Sequence, residues 1–208
     1  MFKNYLKIAL RNLIKNKLYS GLNIFGLAFG ITCCLLILFY VQNELSYDRY
    51  HAKANEIYRL QTSLTNQEGT VHSATTTYSH GLLLKDDFPE IDEVVRFTGY
   101  GSKKVVQYNE SIFYEEKFLW ADHTLFDVFS FELLKGNPQQ ALVEPNMIVI
   151  TEEMARKYFG NDDPIGKSLR VDGNSLYMVT GVLKHIPQTS LFRPDFFASF
   201  SELQMITR

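Results

Sequence analysis

The chain has 208 residues, 46% hydrophobic and 21% charged, with a formal net charge of -2, which places it among ordinary globular chains of one or at most two domains. The charge is unevenly spread: residues 1–17 hold Lys3, Lys7, Arg11, Lys15 and Lys17 and no acid, while all 23 acidic side chains fall in the remainder. A basic head on an acidic body excludes a nucleic-acid-binding body and fits a head resting on anionic lipid.

Residues 1–17 read as an amphipathic helix, with Phe2, Leu6, Ala9, Leu10, Leu13 and Ile14 at helical spacing. Lys3, Lys7, Arg11 and Lys15 step by four along a separate stripe, the arrangement of an interfacial helix with its basic side towards phosphates. The 26 residues from Leu18 to Asn43 contain no Asp, Glu, Lys, Arg or His. As a helix they would run about 39 Å, enough to cross a hydrocarbon core of about 30 Å. The basic lead is too long, and the apolar run too extended, for a cleaved signal. Residues 18–43 are therefore expected to be one transmembrane helix. Within it Gly26 and Gly30 form a small-xxx-small pair at which another membrane helix could approach closely. Cys33 and Cys34 are adjacent in this span, so they cannot staple an outer domain. Basic residues concentrate before the span, which puts the N-terminus in the cytoplasm and residues 44–208 outside. The junction Gln42–His51 contains no Gly or Pro, so the helix is expected to continue outward as a lever.

Beyond the membrane the pattern becomes mixed. Strands are expected at Glu56–Leu64, Glu93–Gly99, Lys104–Tyr108, Ser111–Trp120, Phe126–Leu134, Met147–Ile150 and Phe196–Phe200. Leu169–Val171 and Leu176–Leu183 should pair across the turn Asp172-Gly173-Asn174. Tyr78–Phe88 reads as a helix stopped by Pro89, and Thr151–Phe159 as a helix capped by Thr151, with Glu152 and Glu153 in its first turn. Strands with scattered single helices predict an α+β domain over residues 44–208.

Chemistry-bearing motifs are sparse. Gly160 to Gly166-Lys167-Ser168 resembles a phosphate-binding loop, but five residues separate the glycines where four are needed. It also follows a helix and precedes a strand, and Pro164 removes an amide from the cradle. Gly160 reads instead as a helix C-cap. His51, His72, His80, His123 and His185 show no ligand spacing, and no nucleophile elbow occurs. The expectation is a non-enzymatic protein with no catalytic, cofactor-binding or metal-binding residues.

Five segments carry a family resemblance: NYLKIALRNLIKNKLYSGLNIFGLAFGI, LSYDRYHAKANEIYRLQ, LFDVFSFELLKGNPQQAL, MIVITEEMARKYFGNDDPIGKSL and VTGVLKHIPQTSLFRPDFFASF. Together they resemble the MacB-like (FtsX-like) ABC transporter permeases from Met1 to about Phe200. The signature portion is Tyr158-Phe159-Gly160 followed by Asp163-Pro164-Ile165-Gly166-Lys167. The resemblance implies a first membrane helix, a periplasmic core domain and three further helices that carry the contact to a separate cytoplasmic ATPase. On that plan Arg208 falls inside or just after the core. The implied partners are the bilayer, the ATPase subunit, a second permease half in a homo- or heterodimer, and a periplasmic partner. The implied role is efflux or mechanotransmission. A single-pass sensor or adaptor is the alternative, but seventeen cytoplasmic residues leave no room for a signalling domain. A membrane-anchored enzyme lacks any convergent polar constellation.

Overall fold

The computed structural model describes residues 2–67, 69–99 and 101–200, and they divide into two units, one ending at Tyr47 and the other starting at Asp48.

The first unit holds two helices, α1 (Phe2–Lys15) and α2 (Lys17–Leu45). No residue of α2 is buried, and leucines, isoleucines and phenylalanines are exposed all round it. It is the one helix among the described residues long and apolar enough to cross a membrane. It stops at Leu45, and the expected outward continuation is corrected here. Ser46 caps the helix, its N–H donating to Asn43 O at 3.1 Å and its hydroxyl to the same oxygen at 2.7 Å, while Tyr47 N–H meets Glu44 O. Asp48 then enters the left-handed region at φ 56°, which no α-helix tolerates.

The second unit is built on nine strands in one sheet: β3 (Phe97–Thr98), β4 (Lys104–Tyr108), β5 (Ser111–Glu115), β6 (Phe118–Ala121), β7 (Leu133–Gly136), β8 (Met147–Thr151), β9 (Ser168–Val171), β10 (Ser175–Leu183) and β11 (Phe196–Ser199). Their order is β3-β6-β11-β8-β10-β9-β4-β5, with β7 also on β10. The pairs β8–β10 and β6–β11 are parallel and the rest antiparallel. A separate hairpin joins β1 (Thr62–Asn66) to β2 (Gly69–Ser73), and three helices complete the unit: α3 (Tyr78–Asp87), α4 (Leu125–Val128) and α5 (Glu152–Phe159).

Alternation along the strands explains why the sheet has apolar matter on both faces. Phe118, Ile148, Ile150, Val179 and Phe196 face one cluster with Met154, Tyr158 and Phe159 of α5. Leu119, Val149, Leu183 and Phe197 face a second cluster with Leu125, Phe129 and Phe131. Strands buried on both sides read as continuous apolar runs rather than alternating ones, which is why FLWA, MIVIT and FFAS are legible as central. Thr151 caps α5 by accepting from Met154 N at 3.3 Å, a contact worth about 1 kcal/mol. β10 serves two partners along one edge, β9 with its first half and β7 with its second. The handover demands Gly136: its φ is +97°, and a Cβ there would stand 2.3 Å from the Thr180 carbonyl oxygen.

Several expected strands are corrected. Residues 56–61 form no strand; Ile57 packs into the second cluster while Tyr58 is exposed, so their alternation belongs to a turn segment with no neighbouring strand. Ser111–Trp120 is two strands, because the chain leaves β4 after Glu115 and joins β11 from Phe118, a change of partner that falls at the charged Glu115-Glu116-Lys117 without any Gly or Pro to mark it. Phe126–Leu134 falls instead on α4, a bend and the start of β7. Leu125 and Phe129 are four apart and both buried, a helical spacing easily mistaken for a strand run. Within Glu93–Gly99 only Phe97–Thr98 pairs. The polar strand β2 carries almost no apolar signal and was not expected.

Candidate functional site

The signature residues come together at the C-terminal end of α5 and in the loop that leads to β9. Tyr158 and Phe159 are buried on the sheet, four and five residues after Met154, so the face that α5 buries is the one its apolar spacing dictates. The Tyr158 hydroxyl donates to Glu115 Oε1 at 2.5 Å, and Lys157 Nζ donates to the same oxygen at 2.7 Å. Burial first, then the hydrogen bond and charge of Glu115, push the Tyr158 hydroxyl well above the ordinary tyrosine value. The Phe159 ring meets Tyr108 edge to face at 4.5 Å. Gly160 ends the helix at φ 62° with its N–H on Arg156 O.

The loop is then strapped down. Pro164 is buried, Gly166 N donates to Val179 O at 2.8 Å, and Val179 N donates to Lys167 O at 2.8 Å. These two bonds extend the β9–β10 ladder backwards into the loop: the Gly166 amide is spent on the sheet, and those of Ile165 and Lys167 on Asp163 and the Pro164 carbonyl, rather than offered to a phosphate. Asp163 accepts from Ile165 N at 3.3 Å and from Lys135 Nζ at 3.1 Å, and these bonds hold its carboxyl below the usual carboxylate range. Lys167 pairs with Asp162 at 2.8 Å and lies over the Phe159 ring at 5.4 Å. Exposed pairs of this kind contribute little on their own. The geometry is that of a structural strap, with Ile165 exposed at its tip.

The other predicted positions lie in the first unit. Lys3, Lys7, Arg11 and Lys15 are all exposed along α1, and Gly26 and Gly30 lie on α2 with open space where a Cβ would stand. The signature loop, in the second unit, is a separate group.

A group that sequence reasoning missed is the start of the second unit. Asp48 N donates to Thr189 O at 2.8 Å, and its Oδ1 accepts from Leu191 N at 2.9 Å. The Tyr50 hydroxyl donates to Ser190 Oγ at 3.2 Å, and burial holds that hydroxyl above its ordinary value. His51 is buried against Phe129 and Phe131, and its Nδ1 accepts from Ser130 N at 3.1 Å; Ala52 N in turn donates to Ser130 Oγ at 2.8 Å. Partners 78 to 143 residues away in sequence leave no local pattern; the available signal was Asp-Arg-Tyr-His, four polar or aromatic residues shortly after the membrane-length helix.

A cleft of about 380 Å³ opens between Leu60–Ser63 and α3, lined by Thr76, His80, Leu83 and Leu84 among others. Among the described residues no three His, Cys, Asp or Glu side chains gather as a metal site.

An apolar helix long enough to cross a membrane precedes a mixed α+β domain. The profile of the MacB-like periplasmic core domain matches residues 20–208, and the chain belongs to that family, the periplasmic domain of ABC-transporter permeases. Among solved structures, a domain of a protein designated a permease from Porphyromonas gingivalis shares 23% identity at a TM-score of 0.54, covering 67% of this chain and 60% of that one. The extracellular domain of the noncanonic ABC-type transporter YknZ from Gram-positive bacteria gives 21% identity and a TM-score of 0.40, over 50% of this chain and 53% of that one. The periplasmic region of MacB from Actinobacillus actinomycetemcomitans gives 17% and 0.40, over 53% and 50%. The chain thus spans about three-fifths of the length of the first of these. Comparison with curated proteins gives no match.

Proposed function

We propose that this chain is the N-terminal part of an ABC transporter permease subunit, coupling a separate cytoplasmic ATPase to movement of its outer domain for efflux or mechanotransmission. The observation that carries the reading is the economy of the joint. Only Ser46 and Tyr47 stand between the end of α2 and Asp48, whose backbone and side chain are both bonded to residues 189–191. The connection is two residues long, and the first residue beyond it is already tied into the outer domain.

In this reading residues 1–17 lie on the cytoplasmic face of the inner membrane with Lys3, Lys7, Arg11 and Lys15 at phosphates, residues 18–43 span it, and residues 44–208 are the periplasmic core. Gly26 and Gly30 mark the side of the span that packs against a second permease half. A periplasmic partner receives the movement. The signature strap needs no ligand; its part is to keep α5 fixed to the sheet.

The test is a Gly-Gly insertion between Ser46 and Tyr47, made at the equivalent joint of an intact homologous permease assembled with its ATPase. ATP hydrolysis should persist while export is lost. Export at the unmodified rate would refute the coupling role.

A further inference from the structure

We propose that residues 48–57 form a clasp closed by neutral His51 and opened by acid. The argument starts from the bond that Ser130 N–H donates to His51 Nδ1 at 3.1 Å. A ring nitrogen that accepts carries no proton, so His51 is the neutral tautomer with its hydrogen on Nε2. Protonation places a second N–H against the Ser130 N–H: the acceptor is lost, and a buried amide is left opposing a cation. The ring has little room to turn away. It is 4% exposed, with the Tyr50 ring centroid at 3.9 Å, Phe129 at 5.0 Å and Phe131 at 5.5 Å.

Ser130 holds the segment twice, since its Oγ also accepts from Ala52 N at 2.8 Å. Disturbing Ser130 therefore loosens both the His51 ring and the backbone amide that follows it. The charged and titratable groups on the surrounding segments do not compensate. Asp48 favours the imidazolium, but its carboxylate is engaged by Leu191 N–H, and burial outweighs it, holding the imidazole below its ordinary value. Tyr50 is bonded to Ser190, and Lys53 Nζ donates to the carbonyl of Asp127 on α4 at 3.3 Å. Glu132, after Phe131, is paired with Lys184 at 2.6 Å. Residues 186–192 carry no charged side chain, with His185 and Arg193 flanking them, and Arg96 ahead of β3 is paired with Asp122.

The sign follows from the direction of the shift. Above the ordinary histidine value of 6.5 both closed and open forms are neutral and the clasp is at full strength. Below it the open form protonates first, so the clasp weakens by about tenfold per pH unit until the closed form titrates as well. The clasp depends on the domain alone; its bearing on transport, as a joint that slackens when the outer compartment acidifies, rests on the function proposed above.

The experiment is hydrogen exchange by mass spectrometry on the full chain in detergent at pH 7.5, 6.5 and 5.5, with rates normalised to intrinsic exchange. Residues 48–57 and the Ser130 amide should lose protection on acidification, by up to about fivefold between the last two values. In His51→Asn the side-chain oxygen stands where Nδ1 stood and accepts at every pH, so protection should be retained and flat. Unchanged protection in the wild type, or an Asn variant that loosens in acid as the wild type does, overturns the proposal. Should that variant fail to fold, ring NMR of the wild type decides. An unprotonated Nδ1 at neutral pH and a midpoint below the ordinary 6.5 support the clasp, and a midpoint at or above it overturns it. Each readout is independent of export, so a failed clasp and a failed coupling reading are told apart.

Discussion

Tyr158→Phe removes one oxygen atom from the centre of the signature strap and leaves the rest of its contacts in place. The ring of Tyr158 lies edge to face with Phe113 at 5.6 Å and with Phe196 at 6.1 Å, and phenylalanine can keep both. What disappears is the 2.5 Å bond from the hydroxyl to Glu115, a carboxylate that is only 6% exposed and then has Lys157 alone as its side-chain donor. Hydrogen bonds to charged groups contribute about 1.5–3 kcal/mol. For a domain of this size each kcal/mol corresponds to about 2–4 °C in Tm, so the variant should melt roughly 3–12 °C lower. Trp120, the single tryptophan, packs at 4.8 Å from Phe118 in the same cluster and reports unfolding by fluorescence. The pH dependence gives a second check. The hydroxyl is raised above its ordinary 10.0, so its contribution is whole below that pH and falls as the unfolded tyrosine ionises first at higher pH. The alkaline loss of stability should be shallower in the phenylalanine variant. A melting point within about 1 °C of wild type would refute the account of the strap.

Gly136→Ala should be far more damaging than an ordinary glycine substitution. It combines a φ of +97° with a Cβ 2.3 Å from the Thr180 oxygen, so β7 must leave β10. A loss of at least about 3 kcal/mol in urea unfolding is expected, and a loss under about 1 kcal/mol would contradict the packing described. Replacing Lys3, Lys7, Arg11 and Lys15 by Gln should weaken binding of a peptide spanning residues 1–17 to anionic vesicles. At about 1 kcal/mol per cation the loss is of order 10³-fold, with little change on zwitterionic vesicles; equal binding to both would remove the lipid role of the stripe.

The parts of the fold legible in the sequence are those whose determinants are local. The membrane-length helix declares itself by the uncharged stretch Leu18–Asn43, α5 by its cap and acidic first turn, and β8 and β11 by runs that are apolar because both faces are covered. The signature loop was likewise legible as a helix stop, since Gly160 and Pro164 act on their own backbone. What failed depends on partners far away. The break at Glu115–Lys117 exists because β5 and β6 join different neighbours, and no residue there is a strong breaker. The helix end after Leu45 was misread for the same reason. Ser46 and Asp48 are individually compatible with helix, but Asp48 is drawn out of it by Thr189 and Leu191, more than 140 residues away.

That long-range bond also says how a pull applied at the start of the second unit would be distributed. Asp48 and Tyr50 hold residues 189–191, and the chain from there runs in a few residues to β11, in the middle of the sheet. β11 is paired on one side with β6 and on the other with β8, whose far neighbour is β10. His51 and Ala52 hold Ser130, between Phe129 and Phe131 on the second cluster, which packs on the same strands from the opposite face to α5. A load entering through residues 48–52 therefore reaches the best-buried strands by two routes, one along the backbone and one through side-chain packing. Neither route passes through the exposed β1–β2 hairpin or the cleft beside α3. Under the proposed coupling the sheet carries the force and these elements do not. On the clasp proposed above, the His51–Ser130 bond is a link in the second route that protonation of the ring weakens.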